Sequence, residues 1–302
     1  MFVIKHKKFF LILSAVFVVG SLFAVAVFGL SFGIDFTGGS LVEVSYEGMR
    51  PETTLLQTSL QEAEFVNTLL QPTGEQGYIV RTQELDVIEH ARLLDVLSLG
   101  GESPLEELRF NSVGGVIGQE LQNKAWIALL LTLAAIILYM TYSFRKVSQP
   151  VQSWKYGLVS IIALIHNTII PVGIFAVLGS YFIEYQVDIL FVTALLAIFG
   201  FSVNDTIVIF DRVRENLIKD REERLHESFG EVVGKSISET ITRSINISLA
   251  IIFVLASLYI LGGVSTREFS LVLGLGVIFG TYSSICFAAP LLVTVERWQR
   301  KE

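Results

Sequence analysis

Polar and apolar positions are unevenly distributed along this chain. Six runs are almost continuously apolar, at about residues 9–30, 124–143, 156–178, 188–210, 245–262 and 269–294. Each approaches the roughly 20 residues that an α-helix needs to cross a bilayer. Between the first and second runs the rhythm changes. Leu41, Val42, Val44 and Tyr46 follow a glycine turn and predict a strand. Residues 51–70 predict a helix with Pro51 near its first turn. Residues 78–85 read as a second strand. Residues 87–99 have helical spacing and are stopped by Gly100-Gly101, and residues 105–113 read as a third strand. Strands alternating with helices over about 90 residues predict a small α/β module, near the lower limit for an independent core.

Composition sharpens this picture. The chain has 302 residues, 52% of them hydrophobic, and a mean hydropathy of +0.61, too apolar for an ordinary soluble protein. The net charge of −7 is unevenly spread. Residues 31–122 carry 15 acidic and 4 basic residues, a net of −11, and the remainder is net +4. The predicted organisation is therefore a first span in residues 1–30, an aqueous domain at 31–122, and five further spans in 123–302. The acidic balance argues against nucleic-acid binding by that domain. Cys286 is the single cysteine, so no intrachain disulfide forms, and it reads as a small buried hydrophobe. The four histidines lack zinc-ligand spacing, so no metal or other cofactor is expected.

Loop charges orient the spans. Lys5, His6, Lys7 and Lys8 precede the first run. A cleaved signal peptide is one reading, with Ala24-Val25-Ala26 as its site. The run exceeds the usual 7–15-residue signal core, which favours an uncleaved helix. Arg145, Lys146 and Lys155 mark a second basic connection. The loop near residues 179–187 carries Glu184 and no base. Residues 211–243 hold seven Lys or Arg, and Arg297, Arg300 and Lys301 end the chain. Both termini are then expected in the cytoplasm and the 31–122 domain outside. Trp126, Tyr139 and Tyr142 suit an aromatic belt on the second span. The charged stretch 211–243 is expected to form a cytoplasmic loop with two short helices along the membrane face, its mixed charges a solvated surface.

A few polar residues interrupt the apolar runs. Ser202, Asn204, Asp205 and Thr206 fall near the end of the fourth, before Asp211, Arg212 and Arg214. Asp205 either lies among the headgroups or is a buried, protonatable group in a transport path; intramembrane ionisable residues favour the second reading. His166-Asn167 sits at mid-depth in the third run, before Pro171. It reads as an interhelical hydrogen-bonded pair beside a kink, or as a proton relay. Arg243 and Asn246 open the fifth run, and Arg243 either snorkels or turns inward toward Asp205. Gly276 and Gly280 permit close helix contact in the sixth. Gly200-Phe201-Ser202 is weak support for an intramembrane serine protease, and Asp188 and Asp211 lie too near span ends to pair with Asp205 as an aspartyl protease. No enzyme is expected.

Four blocks taken together make the chain resemble the SecF family, membrane subunits of the bacterial SecDF accessory complex of the Sec protein-export machinery. They are GIDFTGG at 33–39, which includes Gly33, Asp35, Gly38 and Gly39; ALIHN at 163–167; GFSVNDTIVIFDRVREN at 200–216; and TITRSINIS at 240–248. The resemblance covers essentially the whole chain. It implies half of an RND-type transporter fold, with a small ferredoxin-like α/β domain outside the membrane. It implies a SecD-like partner, the SecYEG channel, a translocating polypeptide, and protons or sodium ions as the driving species. It also implies the bacterial inner membrane as location, with Asp205 and Arg243 as functional residues. Two positions depart from the family pattern. Asn167 stands where Asp is common and cannot titrate. The segment 113–121 lacks the usual proline, which would soften the glycine hinge at Gly114, Gly115 and Gly118. The residue chemistry by itself gives a coupling scheme. Arg stays charged, so Asp205 is the group that changes, and helices four and five repack when it does. The alternatives are half of an RND-type small-molecule or lipid exporter, or a passive membrane scaffold.

Overall fold

The computed structural model describes residues 2–143, 151–182 and 184–299. Arg145, Lys146, Arg300 and Lys301, used above to orient the spans, lie outside the described residues. Six helices among those described are long and apolar enough to cross a membrane, so this is a polytopic helical membrane protein. The chain divides into two compact units, one of residues Phe32–Trp126 and one of all the rest.

The smaller unit begins with a turn of helix, α3 (Ile34–Thr37), after the terminal helices α1 (Phe2–Lys5) and α2 (Lys7–Phe28) of the larger unit. There follow β1 (Gly39–Tyr46), α4 (Thr53–Glu62), β2 (Leu69–Thr73), β3 (Gly77–Thr82), α5 (Val87–Leu97) and β4 (Leu105–Val113). The sheet is antiparallel throughout, in the order β2-β3-β1-β4. Alternation places Val42, Val44 and Tyr46 of β1 beside Val80 and Tyr78 of β3, with Leu56, Leu60, Leu93 and Leu97 of the helices closing the core. Asp86 starts α5 with a capping box, accepting from Ile88 N and Glu89 N at 2.8 Å.

The helix expected over 51–70 stops at Glu62, and a fourth strand, β2, was hidden in its last residues. Glu64 and Asn67 adopt left-handed backbone angles, φ 66° and 62°, which break the helix before Leu69. β2 tolerates Pro72 because it is an edge strand. The glycine-rich segment at 114–118 is also not a free hinge. Gly115 opens α6 (Gly115–Ser143), and its Cα lies where a Cβ on Gly38 would fall, at 2.7 Å. Gly38 has φ +75°, and a Cβ on Gly118 would meet Gly38 N at 3.0 Å and Phe36 O at 3.1 Å. These glycines therefore let two backbones cross in contact.

The larger unit holds α2, the rest of α6, α7 (Ser153–Tyr181), α8 (Ile189–Glu223), α9 (Phe229–Leu261), α10 (Val264–Ser283) and α11 (Ala289–Gln299). A π-turn, Ser284–Ala288, joins α10 to α11 in one run, the sixth span. The third, fourth and sixth spans are half buried and form the core, whereas the first, second and fifth expose most of their surface. Close approach again rests on small residues. A Cβ on Gly173 of α7 would sit 2.4 Å from Ser21 Cβ of α2, and one on Gly276 of α10 would sit 2.1 Å from Ile198 Cγ1 of α8.

Residues 211–243 do not form a loop with two short surface helices. α8 runs on to Glu223, about 52 Å for 35 residues and longer than the roughly 30 Å hydrocarbon core. The link to α9 is only residues 224–228. The charges expected to solvate short helices instead pair along α8, Asp211 with Arg214, Arg212 with Glu215 and Lys219 with Glu223, which supports one continuous helix. Arg224, at φ 54°, ends it, and Ser228 caps α9 with Glu231.

Candidate functional site

Ser202, Asp205 and Thr206 share one face of α8, as residues three and four apart must. That face meets α9, α10 and the π-turn. Ser244 Oγ on α9 donates to Asp205 Oδ1 at 2.5 Å. Asp205 Oδ2 is buried and has no hydrogen-bond partner among the described residues. Ser284 presents a hydroxyl to the same carboxylate from the π-turn, but it is engaged with Gly280 O at 2.9 Å and Thr206 Oγ1 at 3.2 Å. Ser248 Oγ and Thr281 Oγ1 pair at 2.5 Å nearby.

These groups border a cavity of ≈ 40 Å³ lined by Asp205, Asn204, Arg243, Ser244, Gly276 and Gly280, among others. A single water needs about 10–15 Å³ measured this way, so the cavity admits water or a small ion beside the carboxylate. Gly276 and Gly280 line it from α10; Ile198 of α8 packs directly against Gly276, and the nearest atoms to a side-chain position on Gly280 are those of Ser202 at 3.9 Å. Arg243 is exposed on the cavity wall and makes no ion pair among the described residues. The neighbouring Ser244 takes the direct contact instead.

A second polar chain enters from α7. His166 Nδ1 lies 3.0 Å from Asn167 Oδ1, and Asn167 Nδ2 donates to Ser202 Oγ at 2.5 Å. Both side chains are fully buried. With the amide nitrogen committed to Ser202, Asn167 Oδ1 is the acceptor and His166 Nδ1 carries the proton. The His166 ring stacks on Phe287 at 4.8 Å and on Tyr282 at 6.2 Å. His166 and Asn167 bond to each other within α7, and Asn167 carries the bond across to α8; Pro171 lies one turn further along α7.

The sequence-predicted residues thus separate into groups. Asp205, Asn204, Ser202 and Arg243 border one cavity. His166 and Asn167 reach it through Ser202, whereas Thr206 bonds to Ser284 of the π-turn, which is not among the lining residues. Asn246 is exposed on α9 and is not among the cavity's lining residues. Asp211 and Arg212 lie one to two turns further along α8 and act as struts. Arg212 Nε donates to Glu239 Oε2 at 2.6 Å, and Asn216 Nδ2 donates to the same oxygen at 2.8 Å and to Ser236 Oγ at 3.0 Å. The DRVREN run therefore pins α8 to α9 just beyond the cavity. Gly33, Asp35, Gly38 and Gly39 belong to the other unit, where Gly33 precedes α3, Asp35 occupies its first turn, and a Cβ on Gly39 would strike Thr82 O at 2.7 Å. Sequence reasoning missed Ser244, Ser284 and Glu239. The signal for Ser244 was its i, i+4 spacing from Ser248 in an apolar helix. No group of three metal-ligating side chains occurs among the described residues.

A family model described as "Protein export membrane protein SecD/SecF, C-terminal" matches residues 98–298, and one described as "SecD/SecF GG Motif" matches residues 23–48. The chain is similar to a protein translocase subunit SecF of Thermobaculum terrenum, 37% identical over 99% of this chain and 94% of that one. It is similar to another of Anaerolinea thermophila, 34% identical over 97% and 94%. Among solved structures it matches SecDF of Thermus thermophilus, titled a translocon-associated membrane protein, with a TM-score of 0.82 and 29% identity. That match covers 98% of this chain and 38% of the longer SecDF chain.

Proposed function

This chain belongs to the SecD/SecF family of protein-export membrane proteins, on its SecF branch, and from that premise we propose that it couples an ion gradient to polypeptide export through Asp205. The observation that carries the reading is the Asp205 carboxylate, half-satisfied by Ser244 and facing a small cavity within the helical bundle. Arg243 cannot lose its charge, so the carboxylate is the group that changes state. When it is ionised, Arg243 on the same cavity wall and the Ser244 hydroxyl both stabilise it. A proton or sodium ion arriving from outside cancels that charge and releases α9 from α8. One elementary charge crossing 100 mV supplies about 2.3 kcal/mol, close to fiftyfold in a two-state equilibrium.

In this reading the chain works with a SecD-like subunit, and the remainder of the longer SecDF chain supports that partnership. The pair acts beside the SecYEG channel in the inner membrane and draws on protons or sodium ions to promote late steps of translocation. Both termini are cytoplasmic. The bundle is half of an RND-type fold. The outer domain is ferredoxin-like, which its βαββαβ order and β2-β3-β1-β4 sheet support, and it holds emerging polypeptide against backsliding. Affinity isolation of the intact chain from gently solubilised membranes tests the partnership. A SecD-like protein and the Sec channel should accompany it, and their absence at native expression would overturn the reading.

A further inference from the structure

A second cavity, of ≈ 680 Å³, opens at the other end of the fifth span from its link to α10, between the start of α2, the start of α9 and the end of α11. Its volume is within the roughly 300–1,000 Å³ of small-ligand sites. Lys5, Lys7 and Lys8 line it from α1 and α2, and Arg297 lines it from α11. None of these four cations makes an ion pair among the described residues. By contrast Arg212, Arg214, Lys219 and Lys235 are each within 4.0 Å of a carboxylate. Lys7 Nζ is shielded from solvent and has no hydrogen-bond acceptor among the described residues. The acids close by do not fill the cavity. Glu231 is folded into the α9 cap, accepting from Ser228 N at 2.8 Å and Ser228 Oγ at 2.7 Å. Glu296 acts on Lys7 electrostatically from α11 but is not among the cavity's lining residues. His6, Ser228 and Gly230 also line it, and its apolar side is formed by Ile4 and Phe9, whose ring is exposed on the first span.

We propose that this cavity binds the phosphate headgroup of an anionic membrane phospholipid, with Lys5, Lys7, Lys8 and Arg297 around the phosphate and Ile4 and Phe9 along the first carbons of its chains. The position is that of a lipid headgroup, because α2 enters its apolar run directly after Lys8 and the Trp298 ring beside Arg297 is exposed. Loop charge needed only for orientation would not converge on one cavity from two ends of the chain. Basic pockets between membrane helices hold acidic headgroups by the same chemistry. An apolar wall beside the cations is what separates a lipid from free phosphate. The inference rests on the orientation proposed above only for the leaflet, which would be the cytoplasmic one.

The test is native mass spectrometry of the full-length protein in a neutral detergent. Phosphatidylglycerol, phosphatidylcholine and inorganic phosphate are added separately and in competition. Wild type should retain phosphatidylglycerol over phosphatidylcholine. Lys7→Gln combined with Arg297→Gln should weaken that retention more than tenfold, at about fivefold per cation, while Lys219→Gln should leave it unchanged. Far-UV circular dichroism and size exclusion confirm that the variants are folded, and Lys5→Gln with Lys8→Gln is the second pair if the first is not. Equal retention by wild type and a folded pair variant would overturn the proposal. Displacement of the lipid by inorganic phosphate would reassign the site to a free anion and overturn the lipid reading. None of these readouts depends on export or on Asp205, so failure here leaves the coupling reading standing.

Discussion

Gly276→Ala probes the helix contact beside the Asp205 cavity. A Cβ there would lie 2.1 Å from Cγ1 and 2.2 Å from Cδ1 of Ile198. Carbon atoms in contact prefer about 3.5–4.0 Å, so α10 and α8 must separate by about 1.3 Å or more, or Ile198 must leave its rotamer. Ile198 is fully buried. Overpacking of this kind costs about 1–3 kcal/mol, or, at about 2 kcal/mol, some thirtyfold in the folded-to-unfolded ratio. Ile198→Ala removes every atom that collides and costs about 2–5 kcal/mol on its own through lost packing. Together the two changes should cost less than their sum, by about 1–3 kcal/mol, because the new methyl occupies space the old side chain vacated. Unfolding of the purified protein and three variants in mixed micelles, titrated with a denaturing detergent and followed by far-UV circular dichroism, gives the cycle. Strict additivity would mean that α8 and α10 do not touch at this point, and the cavity geometry would be wrong with it.

Other consequences are as direct. Ser244→Ala removes the donor to Asp205 Oδ1, a charge-assisted bond of about 1.5–3 kcal/mol; gradient-dependent export should fall sharply, Ser244→Thr should restore most of it, and equal export by Ala and Thr variants would refute the contact. Gly38→Ala meets both a left-handed backbone and the Gly115 Cα, so it should cost about 1–3 kcal/mol, read as faster limited proteolysis of the 32–126 domain in intact membranes; wild-type cleavage rates would contradict the crossing. A thiol placed at Glu75 should react with an impermeant reagent from outside and one at Glu222 should not; the reverse pattern would invert the proposed orientation.

The spans were legible because continuous apolar runs have few alternatives. Three of the four strands were legible, β1 because Val42, Val44 and Tyr46 alternate cleanly, but not their antiparallel pairing. β2 was not, since Leu69, Leu70 and Pro72 follow a helical stretch with no glycine or proline to punctuate it, and the left-handed Glu64 and Asn67 that separate the two are ordinary polar residues in the sequence. The extension of α8 was obscured because charge runs read alike whether they solvate short helices or lace one long helix. At the site, Asp205 announced itself by cost alone. Its partner did not: a full charge at Arg243 draws attention, whereas the hydroxyl of Ser244 one residue on makes the contact. Rotation by one residue about a helix is 100°, which no apolar pattern on a mostly exposed helix such as α9 fixes. Small residues matter for the same reason. Gly276 and Gly280 were visible as a spacing, but that Ile198 of α8 packs onto Gly276 required α8 opposite them.

Export into inverted membrane vesicles, with and without an imposed ion gradient, tests the central claim most directly when wild type is compared with Asp205→Asn. The substitution keeps the shape of the side chain and can still accept from Ser244, but it cannot ionise. Insertion and association with the partner subunit should be unchanged, and the gradient-dependent gain in export should vanish while gradient-independent export remains. Full gradient-dependent gain from the Asp205→Asn chain would contradict the coupling role of this carboxylate.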